Sequence, residues 1–416
     1  MLPHLQSALG IVVIVVLAWA LSENRRAFPW RTVAAGLLLQ AAIALFLLKV
    51  PVARDGLLAL NGAVDALTGA TRAGTSFVFG FVGGGAAPFD VKNPAGMVSF
   101  AFQILPLVIV ISALSALLWH WRILPVIVKA VALGLRKLMN IGGAVGLGSA
   151  ATVFLGMVEA PLLIRPYLER LTRAELFILM TVGLASVAGT VFFLYATILG
   201  PAVPGALGHI LIASMMSLPA AIVIARVMIP GEEGIATTSE SDLKYRSSMD
   251  AVARGTEDGL KIYLQILAML IVMVALVALA DTILRNLPWI GGAPLSLERV
   301  FGWLFAPVVW LFGVPADQAP AAGSLMGIKT ILNELVAYLN LAALPKGALD
   351  PRSTLIMVYA MCGFANLGSV GIMIAGMSTL MPERRDEIVP LAMRALLSGT
   401  MASGLTGAMI GLLPVA

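Results

Sequence analysis

The stretch GIKTILNELVAY, residues 327–338, places Lys329 and Glu334 inside a run that is otherwise apolar or small from 319 to 344. A charge at membrane depth costs roughly 2.5–3.5 kcal/mol on insertion scales, so neither residue suits a helix that faces lipid. The run therefore reads as a re-entrant hairpin, buried in protein. A second run, 141–165, has the same character. There Glu159 stands in Gly156-Met157-Val158-Glu159-Ala160-Pro161, where glycine and proline allow a tight tip and free backbone groups to face a ligand.

Working outward, long apolar runs fall near 6–22, 33–51, 97–119, 174–200, 205–229, 260–284, 353–381 and 388–414, which is material for eight spans. Of 416 residues, 60% are hydrophobic and only 12% charged, against about 25% charged in an ordinary soluble domain. The mean hydropathy of +0.97 cannot be hidden in one soluble core. The fold class expected is an all-α integral membrane protein with eight transmembrane helices, two oppositely oriented re-entrant helical hairpins, an inverted repeat and interfacial helices.

The net charge of +5 does not point to nucleic acid, because Lys and Arg lie in short clusters between apolar runs and read as topology signals. With both termini outside, the cytoplasmic segments 23–31, 119–138, 165–173, 226–261 and 382–394 hold 18 of the 27 basic residues. Arg25, Arg26 and Arg31 follow the first apolar run instead of preceding it, which makes that run a span and not a signal peptide. Cys362 is the single cysteine, so no disulfide forms within the chain.

The chain divides into three N-terminal spans (1–119), an interfacial amphipathic helix (120–140), a first hairpin repeat (141–229), a polar cytoplasmic linker (230–259), a scaffold span with an interfacial helix (260–318) and a second, inverted hairpin repeat (319–416). Pro51 to Asn93, with Gly-Gly-Gly at 83–85, reads as an irregular region. The repeat rests on matching breaks. The hairpin holding Glu159 precedes a span broken at Ala185-Ser186-Val187-Ala188-Gly189; the hairpin holding Glu334 precedes one broken at Phe364-Ala365-Asn366-Leu367-Gly368-Ser369. Interrupted helices at matching positions of inverted units point to a binding site at the repeat interface near the midplane.

Glu159 and Glu334 read as ligand-binding acceptors. Lys329 and Asn333, four apart, share a helical face, whereas Lys329 and Glu334 do not stack directly. Lys329 is thus assigned a structural role, holding carbonyls or another element. Asn366 and Ser369, three apart at a helix break, offer the mixed donors and acceptors that a polyol such as ribose needs. Ser186 and Thr152 suit a small cation, together with carbonyls freed by the break. Enzyme signatures fail: His4, His120 and His209 are scattered, no His-Glu-x-x-His or Cys pair exists, and Gly323 to Thr330 lacks phosphate-loop spacing. An intramembrane enzyme using Glu159 and Glu334 is the alternative from another class.

At these residues the chain resembles the concentrative nucleoside transporters. GIKTILNELVAY looks like the family signature Gly-x-Lys-x-x-x-Asn-Glu-Phe-Val-Ala, with Leu335 in place of Phe. CGFANLGSVGI at 362–372 and GMVEAPLLIRPYL at 156–168 look like two more family blocks, and the resemblance extends from about Gly80 to the C-terminus. It implies a homotrimer of eight-span protomers in the inner membrane, without organic cofactor, coupling nucleoside uptake to H+ or Na+. It implies ribose contacts at Glu334, Asn366 and Ser369, base contacts at Met157, Val158 and Glu159, Phe364 beside the substrate, and Val191 lining the site. For the cation it implies Thr152, Leu155, Ser186 and Val187.

Two departures matter. The family usually has Gln and Thr or Ser where Met157 and Val158 stand, which leaves a carrier for another ribose-bearing or purine-like solute as an alternative. It commonly has Asn where Thr152 stands, a change from an amide carbonyl to a hydroxyl that weakens a sodium cage and favours a proton carried by an intramembrane carboxylate.

Overall fold

The computed structural model describes residues 3–91, 97–231, 245–290, 292 and 294–414. Its regular elements are helices, and the first two, α1 (Pro3–Ala20) and α2 (Trp30–Lys49), fall on the first two apolar runs. The next element corrects the sequence reading. Where an irregular region was expected, α3 runs from Pro51 to Phe79, with Pro51 in the first turn, where its missing N–H costs nothing. Val64, Leu67, Thr68, Thr71 and Thr75 are its more sheltered positions, at helical spacing, and threonine kept that stripe from registering as apolar. The glycines at 83–85 then fold back on α3: Thr75 Oγ1 donates to the Gly83 carbonyl at 2.8 Å. A Cβ on Gly83 would lie 2.1 Å from the Thr75 carbonyl oxygen.

A π-turn (Phe100–Ile104) leads into α4 (Leu107–His120), and α5 (Ile123–Met139) follows as the expected amphipathic helix. Arg122 and Asn140, at its two ends, are the non-glycine residues with positive φ among those described. The first hairpin consists of α6 (Gly143–Leu155) and, instead of one returning arm, two single turns, α7 (Glu159–Leu162) and α8 (Arg165–Leu168). Pro161 and Pro166 remove the donors a continuous arm would need. The broken span is α9 (Arg173–Ala185) and α10 (Gly189–Leu199), α9 opening on a capping box between Thr172 and Glu175. An unbroken helix, α11 (Ala206–Met228), closes the unit.

Residues 232–244 of the expected linker lie outside the described residues. From Ser248 the chain is helical, so the last residues of the expected linker 230–259 form the first turns of a helix. The helix α12 (Ser248–Leu284) has 37 residues, about 55 Å at 1.5 Å per residue, well beyond a hydrocarbon core of about 30 Å. Gly255 and Gly259 explain the extension. A Cβ on either would lie 2.8 or 2.7 Å from the Cα of Ala113 or Ile109 on α4, so the polar turns of α12 are clamped to that helix.

The second unit follows as α13 (Leu297–Leu311), the hairpin α14 (Ala319–Ile331) and α15 (Glu334–Ala343), the broken pair α16 (Pro351–Met361) and α17 (Leu367–Leu380), and α18 (Arg385–Leu412). The two breaks abut: the Phe364 N–H donates to the Ser186 carbonyl at 3.2 Å. Six helical stretches among the described residues are long and apolar enough to cross a membrane, namely Trp30–Lys49, Phe100–His120, Arg173–Leu199, Ala206–Met228, Ser248–Leu284 and Pro382–Leu412. The remaining two expected spans, α1 and the pair α16–α17, are shorter or interrupted. Burial sorts the helices: the apolar windows of α9–α10 and α11 are 89% buried, whereas that of α12 is 6% buried and presents its apolar surface outward.

Candidate substrate site

Each hairpin turns where a carboxylate is needed. In the second, Leu332 breaks the helix and Asn333 caps α15, its Oδ1 accepting from the Val336 N–H at 2.9 Å. Glu334 is thereby the first residue of a helix, where the dipole favours a negative group. It is only 4% exposed, and both oxygens have a donor. The Tyr195 hydroxyl gives one to Oε1 at 2.6 Å, and the Asn366 amide gives one to Oε2 at 3.2 Å. Asn366 in turn caps α17, accepting from the Ser369 N–H at 2.8 Å. The broken helix thus fixes the amide so that its N–H2 end faces Glu334.

In the first hairpin, Gly156 takes φ +98°, a conformation that side chains rarely adopt. A Cβ there would sit 3.0 Å from Glu159 Oε2 and 3.3 Å from the Ala188 Cβ, so glycine keeps the tip tight against the broken span. Met157 and Val158 fill space left by two further glycines. A Cβ on Gly183 would meet the Met157 Cβ at 2.9 Å, and one on Gly376 the Val158 Cγ1 at 2.9 Å.

These pieces enclose one cavity of about 180 Å³ that opens to the exterior. Met157, Val158, Glu159, Val191, Glu334, Phe364, Asn366 and Ser369, drawn from four separate stretches of chain, all line it. The cation group is brought together less fully. Leu155 lines the cavity, while the Thr152 hydroxyl donates to the Gly148 carbonyl at 2.9 Å and the Ser186 hydroxyl to the Val182 carbonyl at 2.8 Å. The Val187 carbonyl already accepts from the Ser214 hydroxyl at 3.4 Å.

Lys329 is fully buried on α14, and its Nζ hydrogen-bonds to no carbonyl among the described residues. It acts on Glu334 only through space.

Sequence reasoning missed Tyr195, Thr190, Gln265 and Met269, which also line the cavity. Tyr195 had a signal, since it lies four residues after Val191 and so on the same helical face. Its ring also packs 5.2 Å from that of Tyr338. Gln265 had none beyond being a polar residue in an apolar run.

Family models match nearly the whole chain: "Na+ dependent nucleoside transporter N-terminus" over residues 9–82, "Nucleoside recognition" over 101–202, and "Na+ dependent nucleoside transporter C-terminus" over 209–411. The likeness thus reaches further toward the N-terminus than Gly80. Nucleoside permease NupC of Helicobacter pylori is 33% identical over 98% of this chain and 97% of its own length. Sodium/nucleoside cotransporter 1 of Rattus norvegicus is 31% identical over 99% of this chain and 64% of its own length. Among solved structures, CNTnw in an inward-facing substrate-bound state superposes with a TM-score of 0.89 at 34% identity, covering 98% of both chains.

Proposed function

This chain belongs to the Na+-dependent, concentrative nucleoside transporter family, and from that premise we propose that it carries nucleosides across a bacterial inner membrane as a cation-coupled symporter working by alternating access. It is a multi-pass membrane transporter, and the reading of Glu159 and Glu334 as an intramembrane enzyme falls away. The proposed unit is a homotrimer of eight-span protomers with two oppositely inserted hairpins.

One observation carries the reading: the carboxylate of Glu334, held by Tyr195 and Asn366, lines the same cavity as the apolar pair Met157 and Val158. A nucleoside has that division, a sugar with several hydroxyls joined to a flat base. Glu334, Asn366 and Ser369 take the ribose hydroxyls. Met157, Val158, Glu159, Val191 and Phe364 surround the base. The apolar tip also supports the second reading, a different ribose-bearing or purine-like solute, because an apolar wall discriminates weakly among bases.

The coupling ion is a proton or sodium. The family description and the rat relative's name favour sodium. The local chemistry favours the proton, because the Thr152 and Ser186 hydroxyls already serve their own helices and the Val187 carbonyl is engaged. Uptake of labelled nucleosides, free bases and ribose into proteoliposomes tests the whole. Unchanged nucleoside accumulating under an imposed pH gradient without sodium supports proton coupling. Accumulation under a sodium gradient alone makes Thr152 and Ser186 working ligands. Equal uptake of ribose and nucleosides refutes the assignment of substrate.

A further inference from the structure

Several hydrogen-bonding groups in the cavity wall are already engaged, and one amide is not. Glu334 takes donors from Tyr195 and Asn366, the Asn366 oxygen takes one from the Ser369 N–H, and the Asn333 oxygen caps α15. Gln265 lines the same cavity and hydrogen-bonds to none of the described residues. It stands on α12 in the set Ile262, Gln265, Ile266 and Met269, whose spacing puts all four on one face of the helix, and it is the only polar member.

The course of α12 places this amide between the two ends of the site. Asp258, near the start of α12, is close enough to Glu159 to interact with it electrostatically. Met269 reaches the other end, its Cε 3.2 Å from where a Cβ of Gly368 would stand, two residues from Asn366. At 1.5 Å per residue, Gln265 lies about 10 Å along the helix from Asp258 and about 6 Å from Met269. Gln265 therefore lies between the two ends of the cavity, whose wall at the first hairpin tip includes the apolar side chains of Met157 and Val158.

We infer that Gln265 is the residue that reads the base, pairing its amide with an adjacent donor and acceptor on the base edge; the inference rests on the solute being a nucleoside. A primary amide presents one acceptor and two donor hydrogens side by side. That is the complement of the N6–H and N7 of adenine, or of the N3–H and O4 of uracil. A group placed to hydrogen-bond rejects an analogue that lacks the partner far more strongly than an apolar wall does. Base discrimination here thus comes from α12, while the sugar is held by the second hairpin and α17.

The test is competition for uptake into proteoliposomes by two ligand pairs, uridine with 3-methyluridine and adenosine with N6,N6-dimethyladenosine. Each methylation removes the donor and leaves the sugar intact. The protein should prefer the unmethylated member of at least one pair by about tenfold, the worth of one buried hydrogen bond left unmade. Gln265→Leu should bring that ratio toward one. Gln265 is exposed on its helix, so the variant should fold, and Gln265→Met provides a second removal of the amide at similar length. A preserved ratio in both variants, or no preference in the unsubstituted protein, overturns the inference. Failure of the unsubstituted protein to accumulate any nucleoside overturns the functional reading as well, and the two failures are distinguishable by that control.

Discussion

Replacing Glu334 with glutamine removes a charge while leaving the local fold able to satisfy itself. The Asn366 amide can still donate to the glutamine oxygen, because its own oxygen is fixed by the Ser369 N–H. The glutamine nitrogen then faces the Tyr195 hydroxyl, which can turn from donor to acceptor. The hydrogen bonds therefore change by less than about 1 kcal/mol, the scale of one neutral hydrogen bond, and any larger loss of folding stability comes from buried Lys329, which is left without the charge it acts on. The solute loses more. A hydrogen bond to a charged acceptor contributes about 1.5–3 kcal/mol and one to a neutral acceptor about 0.5–1.5 kcal/mol, so each ribose hydroxyl held by Glu334 loses about 1–1.5 kcal/mol. For two hydroxyls the loss is about 2–3 kcal/mol, or about 30- to 150-fold in KM. The assay is the KM of uridine uptake by Glu334→Gln, with thermal unfolding of the same preparation. A KM within about threefold of the parent, in protein that still inserts and unfolds cooperatively, would refute the assignment of Glu334 to the sugar.

Three further outcomes are expected. Gly156→Ala should lower uptake at unchanged insertion, since φ +98° with ψ 177° is open essentially to glycine alone and the new methyl would stand 3.0 Å from Glu159 Oε2; backbone strain of this kind costs about 1–3 kcal/mol, and a parental rate would exclude it. Gly255→Val should separate α12 from α4 and lower the melting temperature, because a Cβ there meets the Ala113 Cα at 2.8 Å, an overpacking that costs about 1–3 kcal/mol. Glu23, in the loop between α1 and α2, is held below the ordinary carboxylate range by the Arg173 guanidinium bonded to it, with Arg394 assisting. Its contribution is present above the unfolded value of 4.5 and is lost as pH falls through the lower folded value. Melting curves of Glu23→Gln and parent should differ at pH 7, by under about 1 kcal/mol for so exposed a pair, and converge as pH falls below the lowered folded value; a constant difference would contradict this.

The sequence made the hairpins legible because a charge inside an apolar run has few physical explanations. Glu159, Glu334 and the polar pair Asn366 and Ser369 could be found for that reason, and all four line the cavity. The helical state of α3 was obscured because its sheltered stripe is partly threonine, and glycine and aspartate interrupt its exposed side. The first turns of α12 are polar; the Ser247 cap and the Asp250–Arg254 and Glu257–Lys261 pairs support them locally, and Gly255 and Gly259 press them against the backbone of α4, a tertiary contact the sequence does not announce. Tyr195 and Gln265 were hidden differently. An aromatic or a lone amide in an apolar helix looks the same whether it fills a core or faces a ligand, and only the packing of α10 and α12 around the hairpins distinguishes the two.

The joint between the two helix breaks bears on how such a protein can diverge. It is made by main-chain atoms, the Phe364 N–H and the Ser186 carbonyl, and its closeness calls for glycine at 363, whose Cβ would otherwise lie 2.6 Å from the Ala185 carbonyl oxygen, and at 399, packed against Leu184, Ala185 and Ala365. A main-chain bond is indifferent to which side chains flank it. Residues that line the cavity, such as Met157 and Val158, can thus be exchanged without removing the main-chain bond that joins the two units. Substrate choice and mechanical integrity are separately heritable in this architecture, and lineages can inherit the joint unchanged while revising what it carries.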